Sequence, residues 1–295
     1  MSSRRDRVLS GSPDGSVSMI NSIQSPFEQP ATTGAMCLIL DRSFDPDLLS
    51  HLFRGEEQSR PSCIPLFTNT PYAELQPAGP YVVMYPEKHS AASYASKLLE
   101  QFDAGCVAWL SDPALLDQGI EHWRSLLTVK TDEDPQQMMR FYEPRWLEPL
   151  LLSLSESEKA QFIGPFSGIA WRNEIGWRYY AKSPQSASTE TQAPGWLYLS
   201  EERQALIEQG RLKVIATRFT DDYHEVLPTE DAVEFVHRQL LAGQDMGYEQ
   251  MADQERWLRV AIQRGDSFWD HAPAAELLAR DDVALGDKLM QLESL

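Results

Sequence analysis

The run MRFYEPRWLEPLL, residues 139–151, brings together the side chains best suited to chemistry in this sequence. Arg140, Tyr142, Glu143 and Arg145 place a carboxylate and a phenol among guanidiniums, a charge-assisted cluster that an enzyme could use in a cleft. The plainer reading is structural. Glu143 followed by Pro144 is an acidic N-cap with proline at the first helical position, pinned by a nearby arginine. Phe141, Trp146, Leu147, Leu150 and Leu151 then read as core, and the structural reading is the stronger one.

Other motifs add little chemistry. No glycine-rich phosphate loop, GxGxxG or HExxH is present. GPFSG, 164–168, has its serine one place off a nucleophile elbow and reads instead as a helix stop followed by a strand. Asp132, Asp134 and Glu143 fall at calcium-loop positions 1, 3 and 12, but Gln137 stands where that loop requires glycine. The six histidines are scattered, at 51, 89, 122, 224, 237 and 271. His122 lies beside an apolar helix stripe with no second ligand one turn on, so it reads as structural. Asp270 and His271 are neighbours in sequence only. Cys37, Cys63 and Cys106 form no metal pair and no disulfide framework. They read as small buried hydrophobes.

The elements that must position these groups follow from periodicity and punctuation. Residues 1–33, rich in Ser, Pro, Gly and Gln, predict a disordered tail outside the fold. AMCLILD (35–41), CIPLF (63–67), PYVVMYP (80–86) and GCVAWL (105–110) predict strands. Asp45–Pro46 opens a helix bearing Leu48, Leu49, Leu52 and Phe53, and 90–102 predicts another. Asp112 caps, and Pro113 starts, a helix with Leu116, Ile120, Trp123 and Leu127 on one stripe. QMMRFY reads as a strand ending at Arg140–Tyr142. The helix after Glu143 is expected to be short or kinked, because Pro149 deletes a backbone donor. Ser155 and Glu158 form a capping box for the next helix, which stops at Gly164–Pro165. FSGIAWR and IGWRYYAK predict a hairpin about Asn173–Glu174.

SPQSASTETQAPG, 183–195, lacks large apolar residues and reads as a linker or long loop. Beyond it helices dominate: 201–209, 230–242 with Thr229 as N-cap, and about 247–264. The expected fold is thus an α/β lobe at 34–182, a mixed sheet with flanking helices, followed by a mainly α-helical acidic lobe at 196–295. The two lobes are expected to fold and bind semi-independently.

Charge narrows the partners. The chain of 295 residues carries a net charge of −18, which argues against nucleic acid and against an anionic membrane surface. From Trp196 onward twenty acids face ten bases, so −10 of the −18 lies in the final third. No apolar run approaches the roughly 20 residues needed to span a bilayer, and no signal-peptide core follows Arg4, Arg5 and Arg7. The reading is a soluble cytoplasmic protein.

An ordered series of segments resembles a bacterial adaptor family of the type VI secretion system. It runs CLILDRSFDPDLLSHLF, CIPLFTNTPYAELQPAGPYVVMYP, GCVAWLSDPALLDQGIEHWRSLLTVKTDED and MRFYEPRWLEPLLLSLSESEKAQFIGPF, over about 36–172. Glu143 stands where the family more often has aspartate. The C-terminal run from Tyr248 is similar to the helical tail of such adaptors. The resemblance implies a chaperone that binds a secreted toxic effector in the producing cell and delivers it to the VgrG spike, a PAAR-type region being one route. It implies no cofactor, no metal and no catalysis. Candidate protein-binding residues are Arg140, Tyr142, Glu143 and Arg145, with Trp257, Phe268 and Trp269 of the helical lobe weighed as anchors against a role in its core. Two rivals remain: an immunity-type inhibitor of a toxin, and an enzyme of unfamiliar type with a site near Arg140 and Glu143.

Overall fold

Strand β2 (Ala35–Asp41) is a continuous apolar run because both of its faces are covered. Cys37 and Ile39 point into one core, and Met36, Leu38 and Leu40 into another. The computed structural model describes residues 20–27, 35–43, 45–54, 61–84, 97–100, 105–110, 112–183, 192–227 and 231–295. Around β2, strands β1 (Ile20–Ile23), β3 (Ser62–Pro65), β4 (Pro80–Met84), β5 (Gly105–Leu110), β8 (Phe166–Asn173) and β9 (Gly176–Ala181) build a seven-stranded sheet of order β1-β9-β8-β5-β2-β4-β3. Every neighbouring pair in it is antiparallel. The mixed character expected from the sequence is confined to a small second sheet. There β10 (Tyr198–Leu199) runs parallel to β6 (Thr128–Thr131), which is antiparallel to β7 (Gln137–Met138).

One face of the large sheet is covered by α1 (Leu48–Leu52), through Leu48 and Leu52, and by Leu98 and Leu99 of the helical residues 97–100. The rest of the helix expected at 90–102 lies outside the described residues. The other face packs against α2 (Leu116–Leu126), α3 (Pro144–Ser153) and α4 (Glu156–Ile163). Asp112 accepts from the Ala114 amide and caps a 3-10 turn ahead of α2, and the Ser155–Glu158 capping box opens α4. The hairpin forms as read, β8 turning into β9 at Asn173–Gly176. Gly164 ends α4 at φ +61, where a Cβ would lie 2.5 Å from the His122 ring, so glycine is required twice over.

Three expectations are corrected. Ile20–Ile23, inside the supposed tail, pairs with β9 from Ile20↔Tyr180 to Ile23↔Trp177, and Phe27 meets Trp177 edge-on at 6.2 Å. The sheet edge supplies the hydrogen bonds, so two isoleucines suffice where composition alone predicts no structure. Residues 1–19 and 28–34 lie outside the described set. The helix α3 does not stop at Pro149 but continues four residues beyond it, to Ser153, ten residues in all.

The third correction concerns the division of the chain. Helix α5 (Glu201–Asp222) runs 22 residues, about 33 Å, rather than stopping at 209. Its first half gives Ile207 to the core beneath the large sheet, joined by Leu197 and Leu199. Its second half gives Leu212, Ile215, Ala216 and Phe219 to a helical core shared with α6 (Ala232–Asp245) and α7 (Met251–Arg264). Arg203 of α5 also pairs with Glu158 of α4 at 2.9 Å. The two lobes therefore share one helix. Thr229, the expected cap of α6, lies outside the described residues; Asp231 occupies the cap position. A short α8 (Ala274–Leu278) and α9 (Leu285–Ser294) complete the helical part.

Candidate functional site

The run 139–151 is a joint between the two sheets and α3. β7 ends at Met138, and the Met139 amide makes the last link of its register, to the Leu127 carbonyl 2.9 Å away. Arg140 to Tyr142 then form a turn, closed by the Glu143 amide on the Arg140 carbonyl at 3.0 Å, not the expected strand end. Phe141 and Tyr142 are both 1% exposed, and Phe141 meets Phe162 of α4 edge-on at 6.2 Å. Glu143 holds the N-cap position with Pro144 behind it, as read, but its side chain makes no capping bond. The carboxylate turns to guanidinium instead, the stronger partner.

The charges alternate across the joint. Arg140 Nη2 donates to Asp41 at the end of β2 over 2.5 Å, and its Nε lies 3.8 Å from Glu143. Arg145 Nη2 donates to the other Glu143 oxygen. Asp41 also accepts from the Ser43 amide at 2.8 Å. Burial disfavours the charge on Arg140, but Asp41, Tyr142 and Glu143 outweigh that, and its pKa is raised. Burial, then the Asp41 charge, pushes the Tyr142 phenol up. This arrangement ties the large sheet to the start of α3. Its charged groups are engaged with one another.

Beside the joint lies a cleft of about 460 Å³, with Met139, Trp146, Leu150, Leu199 and Ile207 among its apolar walls. Glu143 and Glu208 also line it, and Arg211 pairs with Glu208 at 2.5 Å while its guanidinium lies 5.5 Å from the centre of the Trp146 ring. Trp146 is thus a partly exposed cleft wall rather than the buried core residue expected. Across Arg140 a second hollow, about 380 Å³, opens over Asp41, Phe67, Leu75 and Tyr142.

Trp257 and Phe268 are placed far from this joint in the chain's helical core, 0% and 4% exposed, with ring centres 4.7 Å apart. Trp269 packs partly buried against the same core, 5.6 Å from Trp257. Of the anchors considered, the first two are core, and none shares the joint with Arg140. His122 is likewise internal: it is 1% exposed, with Nε2 2.8 Å from the Phe162 carbonyl.

Sequence reading missed Glu148. On α3, 9% exposed, it takes Arg178 Nε at 2.9 Å and Nη2 at 2.6 Å, and Asn173 Nδ2 at 3.0 Å. The signal was present: an acid set amid Trp146, Leu147, Pro149 and Leu150 on an apolar helix requires a partner. No group of His, Cys, Asp and Glu among the described residues is arranged to hold a metal ion. No helix there is long and apolar enough to cross a membrane.

An antiparallel platform, a helical extension grown from it, and a joint whose charges hold elements together define an α/β domain with a helical tail. Residues 37–161, which hold β2 to β5 of the platform and the joint, match the family described as Domain of unknown function (DUF4123). The family is associated with effector adaptors of the type VI secretion system. The match falls within the 36–172 span on which the resemblance was read. Nothing among curated proteins or solved structures matches the chain.

Proposed function

We propose that this chain is a non-enzymatic chaperone or adaptor that binds a toxic type VI effector in the cytoplasm of the producing cell and helps load it onto the VgrG spike. The family match over 37–161 is the observation that carries this reading. The joint supports it: Arg140, Glu143 and Arg145 bind each other and Asp41, a use that needs no substrate. The acidic helical part supplies a long-range attraction for a basic partner surface, screened by salt.

Co-purification tests the reading. The full-length chain, the effector and the spike protein, expressed together, should elute as one complex that weakens as salt rises. An effector that reaches the spike equally well without this chain would overturn the proposal. Protection of target cells from the toxin would favour an immunity-type inhibitor instead. A chemical turnover abolished by Glu143→Gln in a stably folded protein would favour an enzyme.

A further inference from the structure

The cleft between β7, α3 and α5 has two features that together specify what fits it. Its interior is apolar, lined by Met138, Met139, Trp146, Leu150, Leu199 and Ile207, and at about 460 Å³ it falls in the roughly 300–1,000 Å³ range of binding pockets. The charged groups that line it are already paired, Arg140 with Asp41, Glu143 with Arg145 and Glu208 with Arg211. It therefore offers contact area rather than free directional bonds, and two unbranched methionines let that area adapt to its occupant.

The segments that flank the cleft residues along the chain are different. The β6–β7 turn bears Asp132, Glu133 and Asp134, next along the chain to the cleft residues Val129 and Gln137. The start of α5 bears Glu201 and Glu202, between the cleft residues Leu199 and Gln204. The two segments are joined where Asp132 accepts from the Glu201 amide at 2.8 Å and from the Tyr198 hydroxyl. All five acids are exposed, and none is ion-paired to a base among the described residues. Arg203, the nearest base on α5, is held by Glu158. Lys130 alternates with Val129 along β6 and so lies on the strand's other face. An apolar slot whose charged wall groups are paired is thus flanked by two linked segments that carry five uncompensated acids.

We infer that this cleft docks an amphipathic segment of a partner protein, its bulky apolar side chains entering between α3 and α5 and its lysines or arginines meeting Asp132–Asp134 and Glu201–Glu202. This is the helix-in-groove mode of recognition, with the charge on the flanking segments setting orientation and rate. The inference rests on the adaptor reading for the identity of the partner, but not for the chemistry of the segment.

The test uses the full-length protein and two short fluorescein-labelled helical peptides, one of leucine and lysine, the other of leucine and glutamate. The lysine peptide should bind about tenfold tighter or more than the glutamate peptide. Met139→Arg and the exposed Gln137→Arg should each weaken it about tenfold, and Glu133→Lys with Glu202→Lys severalfold, with thermal midpoints confirming that each variant is folded. Asp281→Lys, an exposed acid far along the chain, should change nothing. Equal binding of the two peptides overturns the inference, as does equal weakening by Asp281→Lys, which would reveal attraction to net charge alone. If Met139→Arg does not fold, unchanged binding to Gln137→Arg overturns it. Effector and spike are then tested with the same variants. A complex that forms equally well with wild type and Gln137→Arg refutes the cleft as the docking site and leaves the adaptor reading standing. Peptide binding that follows the cleft variants, without any effector complex in the wild type, leaves the cleft and refutes the adaptor.

Discussion

Replacing Glu148 with alanine should reveal how strongly α3 is fastened to the β8–β9 hairpin. The carboxylate lies on α3 with its side chain 11% exposed, and Arg178 of β9, 16% exposed, grips it with two nitrogens at 2.9 and 2.6 Å. Asn173 at the hairpin turn adds a third donor, and Arg178 reaches on to Ser22 of β1. Removing one member of a buried pair typically costs about 3–5 kcal/mol, because the other charge stays buried without its partner. Ser22 and a partly open rim still serve Arg178, so the lower end applies, about 3 kcal/mol. At roughly 2 °C per kcal/mol for a chain of this size, the thermal midpoint should fall by about 6 °C. Glu148→Leu combined with Arg178→Met should cost much less than either single change, because apolar replacement of both partners leaves no stranded charge. Urea unfolding of the wild type, both single variants and the double variant gives the coupling energy, expected at about 1–3 kcal/mol. Additivity within about 0.5 kcal/mol would refute the bridge as a fastening and leave it a contact of convenience.

Three further outcomes follow from the same geometry. Phe141→Ala should cost about 3–5 kcal/mol in urea unfolding and Trp146→Ala about half that, since Phe141 is enclosed while Trp146 walls an open cleft; equal losses would contradict their placement. Burial, with Lys182 nearby, holds the His122 pKa below its ordinary value despite the Phe162 hydrogen bond. His122 is then neutral in both states above about pH 6.5 and exerts no penalty, whereas at lower pH the unfolded chain binds the proton more readily and stability is lost. The fall in urea midpoint between pH 7 and pH 5 should be smaller in His122→Gln, and an unchanged fall would refute this. A fragment of residues 34–182 should unfold readily or aggregate, because it lacks Leu197, Leu199 and Ile207 of the core beneath the sheet. A protease-resistant, monomeric fragment would show that these residues only cover a core already complete.

Local chemistry made much of the platform legible. The unbroken apolar runs of β2 and β5 announce strands covered on both faces, and the Asp112 cap, the Ser155 capping box and the Asn173–Glu174 turn each specify a boundary by their own hydrogen bonds. The ion pairing of the joint was legible, since a carboxylate before a proline and an arginine two residues on already account for one another. What stayed hidden depends on distant partners. β1 exists through β9, and Asp41 finds Arg140 from 99 positions away. Neither leaves a periodic trace. The cleft needs β7, α3 and α5 at once, so only its acidic turn and its aromatic run were visible, as separate features.

The longest error is the most instructive. Gly210 follows the stretch 201–209, and by local rules a glycine there closes a helix; Pro149 in α3 likewise reads as shortening or kinking its helix. In the fold the two residues face each other. A Cβ at Gly210 would lie 3.0 Å from the Pro149 Cβ, so the glycine is where α5 comes close to the proline face of α3. Each residue lowers the stability of its own helix, by about 1 kcal/mol for a glycine and about 3 for a proline, and tertiary packing supplies the difference. Both helices run on through the contact, α3 to Ser153 and α5 to Asp222. The point that local punctuation marks as the end of an element is thus where the platform and the helical part are joined. A partner seated in the adjoining cleft would touch both parts through this single helix pair.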